Sequence, residues 1–227
     1  MTWPVAGTEP LSRLRILTQA VVLVRNEVTG QPPAVPPQMR VRRVDPAGAV
    51  ELSWTPRSTL GGAVVFAGFD LAAAAGIAGG ESYELLVDPT GVLRPERPDG
   101  YPFTIPVGPA QWPVQVSVVL LPGPGYPYRP QIPVVRGRVL RPGPPPVPVV
   151  DAVVAAVPVG PPGPPGPPGP VVARCLTDHA GRFSLGIARL RTGRALNLVA
   201  TAPDGTSGAP RLLHPDDLRR TVDLTIP

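Results

Sequence analysis

Thirty-seven of the 227 residues are proline, gathered in clusters between valine-rich segments. Each proline locks φ and removes a backbone donor, so long helices and central strands are confined to the intervals between clusters. With 25 glycines they make up about a quarter of the chain, a proportion at which disorder must be considered. Disorder, however, goes with few β-branched residues and high net charge. This chain is 43% hydrophobic and carries a formal charge of only +5. The reading is an all-β protein with thin aliphatic cores and long, proline-stiffened loops.

The strongest boundary is Pro122-Gly-Pro-Gly-Tyr-Pro-Tyr-Arg-Pro130, four prolines in nine residues. Before it, Val114, Val116 and Val118 alternate with Gln115 and Ser117, the period of a half-buried strand. After it, Val135-Arg-Gly-Arg-Val139 alternates again. The expected organisation is an N-terminal arm (1–20), a first sandwich (21–121), a Pro/Gly-rich linker (122–133) and a second sandwich (134–227). The linker is expected to separate two independently folding domains.

The two halves read as copies of one plan. In the first, strand 20–25 runs into the turn Asn26-Glu-Val-Thr-Gly-Gln-Pro32. Gly62 then precedes Val64 and Phe66; Tyr83, Leu85 and Val87 alternate, and Pro89-Thr-Gly91 closes the segment. In the second, strand 135–140 runs into Arg141-Pro-Gly143, and 152–157 continues. Thr177-Asp-His-Ala-Gly181 precedes Phe183 and Leu185; Leu196, Leu198 and Ala200 alternate, and Pro203-Asp-Gly205 closes as before. Strands 114–120 and 222–226 end the halves. The fold class is therefore two small antiparallel β-sandwiches, transthyretin-like or Ig-like, joined in tandem.

This order resembles carboxypeptidase regulatory-like domains. The motif residues are Thr177, Asp178, Gly181, Phe183 and Leu185 in the second half, and Thr29, Gly30 and Pro32 in the first. The first half departs from the pattern with Gly61-Gly62 where the second has Thr-Asp. The resemblance implies a transthyretin-like sandwich acting as a non-catalytic accessory that stiffens, spaces or binds, with no catalytic residues to carry over. Tandem sandwiches with proline-rich arms also look like accessory parts of phage tails or phage-tail-like contractile injection systems. That makes a structural subunit of an assembly, with other protein subunits as partners, the expected function. A carbohydrate- or peptide-binding accessory module at a cell surface is the alternative.

Chemistry has few candidates. His179 and His214 are the only near-neutral bases. Cys175-x-x-Asp178-His179 lacks a second pair of ligands at zinc spacing, and Asp178 is accounted for as a turn acceptor. The expectation is no enzyme, no catalytic residue, no metal and no cofactor. All 21 cationic side chains are arginine, spread along the chain, with Arg40, Arg42 and Arg43 the tight cluster before the end. Single-strand binding would interleave them with exposed aromatics, which are missing, so nucleic acid is not an expected partner. One cysteine excludes an intrachain disulfide. The start has no signal-peptide pattern, and 61–80, interrupted by Asp70, falls short of a membrane span. Synthesis in the cytoplasm is expected.

Aromatics beside prolines are the candidate interface residues: Trp3, Trp54, Trp112, Tyr126 and Tyr128. The segment Met1–Pro10, carrying Trp3, is expected to order only against a partner. The collagen-like run 160–170, with glycine at every third position, is expected to be a polyproline strut inside the second sandwich, joining strands with well-separated ends.

Overall fold

The computed structural model describes residues 18–45, 48–52, 56–59, 62–66, 80–107, 111–159, 171–187, 195–214 and 221–227. Trp3, Trp54, the N-terminal arm before residue 18 and the run 160–170 lie outside the described residues. Those described form an all-β protein without an α-helix.

The first half contains β1 (Ala20–Asn26), β2 (Met39–Asp45), β3 (Gly48–Leu52), β4 (Arg57–Ser58) and β5 (Ala63–Phe66). It continues with β6 (Glu81–Val87), β7 (Leu93–Pro95), β8 (Tyr101–Ile105) and β9 (Val114–Pro122). These make two sheets, ordered β4-β5-β1-β9-β7 and β3-β2-β6-β8. Period-two alternation puts Val22, Val24, Val116, Val118 and Leu120 of one sheet against Val41, Tyr83 and Leu85 of the other in a shared core.

The second half contains β10 (Val134–Arg141), β11 (Val147–Pro148), β12 (Val153–Pro158) and β13 (Ala173–Leu176). Then come β14 (Arg182–Gly186), β15 (Leu196–Thr201), β16 (Arg211–Leu213) and β17 (Thr221–Thr225). One sheet is ordered β11-β10-β14, with β17 also on β10, and the other is β13-β12-β15-β16. Val135, Val139, Phe183 and Leu224 close on Val154, Leu198 and Ala200 in a second core.

The halves share a topology. In each, the opening strand pairs antiparallel with one neighbour (β1 with β5, β10 with β14). It pairs parallel with the strand that ends the half (β1 with β9, β10 with β17). The opposite sheets match strand for strand. At the turns the likeness reaches single residues, since Gly62 and Gly181 both have positive φ (77° and 69°) two residues before Val64 and Phe183. An L side chain there would be strained, and glycine removes the strain.

The cores are filled differently. Val22 faces Val64 in the first half, whereas Gly137 faces Phe183 at the matching register in the second. A Cβ on Gly137 would lie 2.7 Å from the Phe183 ring and 1.8 Å from the Val222 carbonyl oxygen. The aromatic ring occupies the volume that glycine leaves.

One expectation is corrected. The strands flanking the Gly-Pro-Pro run do not have well-separated ends: β12 and β13 are antiparallel neighbours, with Ala156 opposite Ala173 and Val172 N–H donating to the Ala156 carbonyl at 2.9 Å. Backbone pairing between these strands holds the two flanks together.

Candidate functional site

The most elaborate polar structure lies where the halves meet. The segment after β9 is tied to the first half by Gly123 N–H donating to the Val92 carbonyl at 2.8 Å. Tyr126 packs on the first core, and its hydroxyl accepts from Asn26 Nδ2 at 3.2 Å. Tyr128, its ring 4.8 Å away and tilted by 59°, turns to the other half. Its hydroxyl donates to the Ser184 carbonyl at 3.1 Å, and its ring covers Gly186, where a Cβ would stand 2.2 Å from Cε1. Burial, with a smaller contribution from neighbouring Cys175, pushes the phenol far above its usual range, so the hydroxyl stays a donor. The proline-rich linker is thus clasped by both halves, one tyrosine to each.

Two arginines cross the junction in opposite directions. Arg174 of β13 donates from Nε and Nη2 to Glu27 at 3.0 and 3.2 Å, and from Nη1 to Glu96. Arg94 of β7 donates from Nη1 to Asp151 Oδ1 at 2.5 Å and to the Thr177 carbonyl at 3.3 Å. Asp151 holds φ near 55°, a left-handed conformation that aspartate tolerates better than most residues. Burial works against the Arg174 charge, but the paired carboxylates outweigh it and raise the pKa, so the cation persists.

A cleft of about 730 Å³ opens beside this latch. Its floor is the outer face of β10 and β14, carrying Arg136, Arg138 and Arg182, and Val92 of the first half with Gly123–Gly125 of the linker form one wall. At its rim, Asp178 accepts from Ala180 N–H, Arg182 N–H and Arg182 Nε, each at 2.9 Å. That is the turn role read from the sequence. The neighbouring Thr177 hydroxyl is buried, accepting from Ala152 N–H and donating to the Val149 carbonyl at 2.7 Å.

Of the candidate interface residues, Tyr126 and Tyr128 are brought together at the junction. Trp112 is not with them: it packs on the first core and its Nε1 donates to the Pro106 carbonyl at 3.0 Å. Arg40 and Arg42 of the basic cluster sit on β2 and pair across strands, Arg40 with Asp88 and Glu51, and Arg42 with Glu84. Sequence reasoning missed Arg94, Arg174, Glu27, Glu96 and Asp151. No local signal marks them, because Arg174 and Glu27 lie 147 positions apart. Cys175 is fully buried, and burial drives its thiol far above the ordinary range, which keeps it protonated. Among the described residues, no group of three or more His, Cys, Asp or Glu side chains could hold a metal ion. No helix among them is long and apolar enough to cross a membrane.

No family model matches the chain, and no curated protein matches it. Similar solved structures include pilins and a putative adhesin of Bacteroides ovatus. A streptococcal ancillary pilin is 14% identical with a TM-score of 0.34, covering 93% of this chain and 63% of its own. The major pilin subunit of Bacillus cereus is 10% identical with a TM-score of 0.32, covering 92% and 68%. The basal pilin of Lactobacillus rhamnosus is 10% identical with a TM-score of 0.24, covering 92% and 99%. The chain thus spans 63% of the length of the first of these.

Proposed function

We propose that the chain is a non-enzymatic structural subunit of a larger protein assembly, with two folding units (21–121 and 134–227) locked into one spacer. The observation that carries this reading is the junction. Arg174 reaches two carboxylates of the first half, Arg94 reaches back to Asp151, and Tyr126 and Tyr128 divide the linker between the halves. A linker that served only as a tether would need none of these contacts. A spacer that must hold its ends at fixed separation needs all of them. On the resemblance to tandem regulatory-like sandwiches, the assembly is a phage tail or a contractile injection particle.

The test is to recover the full chain from its native cells under mild conditions and fractionate by size. Sedimentation with a defined set of other subunits at fixed stoichiometry supports the proposal. A chain found only as a free monomer overturns it.

A further inference from the structure

We propose that the cleft at the junction binds an extended acidic peptide segment of a partner subunit, with Arg136 and Arg138 engaging carboxylates at alternate positions. The proposal rests on the reading of the chain as an assembly subunit and names how a neighbour is held.

Charge is the first observation. Two of the arginines lining the cleft are already neutralised, Arg182 by Asp178 and Arg94 by Asp151. Arg136 and Arg138 are exposed and have no ion-pair partner among the described residues. Asp223 is in register with Arg138 on β17 yet makes no ion pair with it. On its other side Arg138 is in register with Arg182, whose charge Asp178 already offsets, so Arg138 gains no carboxylate from β14 either. Two guanidinium forks are therefore presented together, each suited to bidentate recognition of a carboxylate.

Spacing is the second. Same-face residues two apart on a strand are about 6.7 Å apart, and an extended peptide presents its alternate side chains at that interval. The forks on β10 thus match acidic residues at every second position. The intervening side chains have apolar contacts available at Val92 and Val150, 38% and 41% exposed, which line the cleft. On the wall opposite, Gly123 and Gly125 contribute no side chain on either side of Pro124, which narrows the cleft less there. A single-stranded nucleic acid would call for exposed aromatics to stack on. Of the rings lining the cleft, Phe183 is buried in the core and His179 alone is exposed, a single ring rather than a stacking platform.

The test uses the full chain and fluorescein-labelled peptides followed by anisotropy. A short peptide alternating glutamate and serine is expected to bind, and the glutamine-serine version is not. A peptide of the same composition with glutamates in adjacent pairs binds several-fold more weakly. R136Q/R138Q weakens the alternating peptide at least tenfold, R136K/R138K gives an intermediate loss, and R211Q, on the exposed edge strand β16, leaves it unchanged. Added salt weakens binding. Failure of the alternating peptide to bind overturns the proposal, as does a loss below threefold in the double glutamine variant. Equal affinity for the paired-glutamate peptide, or for oligothymidylate, also overturns it by showing diffuse charge attraction. None of these results touches the particle-fractionation test, so the two readings fail separately.

Discussion

Removing Arg174 should loosen the second half without touching its core. Its side chain is 22% exposed, and its partners Glu27 and Glu96 are 19% and 31% exposed. Fully exposed pairs contribute about 0–1 kcal/mol, while breaking a buried one costs about 3–5 kcal/mol. A three-group cluster of this intermediate exposure, left with Glu96 unpaired and Glu27 facing only Arg25 at 4.0 Å, sits at about 2 kcal/mol. Since about 1.4 kcal/mol is a factor of ten, opening of the second half becomes about 30-fold more frequent. The protein carries its own reporters. Cys175 is fully buried in the second half, and all three tryptophans lie in residues 3–112. Thiol labelling by Ellman's reagent therefore follows the second half, and the fluorescence of Trp112, which packs on the first core, follows the first. R174Q should label about 30-fold faster in native buffer with fluorescence unchanged at the start. E27Q/E96Q, which leaves the sequence around Cys175 intact, should act in the same direction. Labelling within threefold of the wild type for both variants would refute the reasoning, because the latch would then contribute no more than a solvated pair.

Three further outcomes follow from single contacts. G137A drives a methyl into the Val222 carbonyl and the Phe183 ring, so the second half should lose at least about 3 kcal/mol, read as a large fall in its denaturant midpoint. Y128F removes the hydrogen bond to Ser184 and should cost about 1 kcal/mol, seen as a few-fold rise in Cys175 labelling with the tryptophan signal intact. D178A deletes three accepted bonds of its turn and should cost about 1–2 kcal/mol in thermal melts near neutrality. Partial burial raises the Asp178 carboxyl, but the N–H groups of Arg182 and Ala180 and the Arg182 guanidinium outweigh it and hold the pKa below the ordinary value. Its contribution is thus present above about pH 4 and lost as pH falls through the lower folded value. Melts from about pH 6 down to about pH 2.5 should therefore show a shallower pH dependence in D178A than in the wild type, and equal slopes would exclude the turn as a source of acid sensitivity.

What the sequence makes legible is what depends on near neighbours. Alternation at Val114, Val116 and Val118, or at Phe183 and Leu185, reports a strand because the period of two is set by the local backbone. The parallel between the halves is legible for the same reason: its markers are turns, and a turn is decided within four residues. Strand β3 carries no such mark, and β2 only the short alternation of Met39 and Val41 with Arg40 and Arg42. Arg40, Arg42 and Arg43 on β2 read as a basic cluster, yet Arg40 and Arg42 find their carboxylates on the adjoining strands β3 and β6 or just beyond them. The junction is harder still: Tyr126 and Tyr128 stand out beside their prolines, but the partners of Arg94, Arg174 and both tyrosine hydroxyls are brought in only by the completed fold.

The departure of the first half from the Thr-Asp motif shows which part of such a pattern is structural. In the second half Thr177 ties two loop segments and Asp178 ties its turn, so both are used. The first half has no such pair, yet its turn hydrogen bond is made by Thr59, whose carbonyl accepts from Gly62 N–H at 3.0 Å and whose hydroxyl accepts from Ala63 N–H at 3.2 Å. What the halves share at this corner is glycine at positive φ, with an inward side chain two residues later. Even that side chain is free to change if its neighbour compensates, Val64 over Val22 in one half and Phe183 over Gly137 in the other. Topology and volume are held while residue identities are exchanged, so two copies of one sandwich can lie in one chain with little sequence likeness between them.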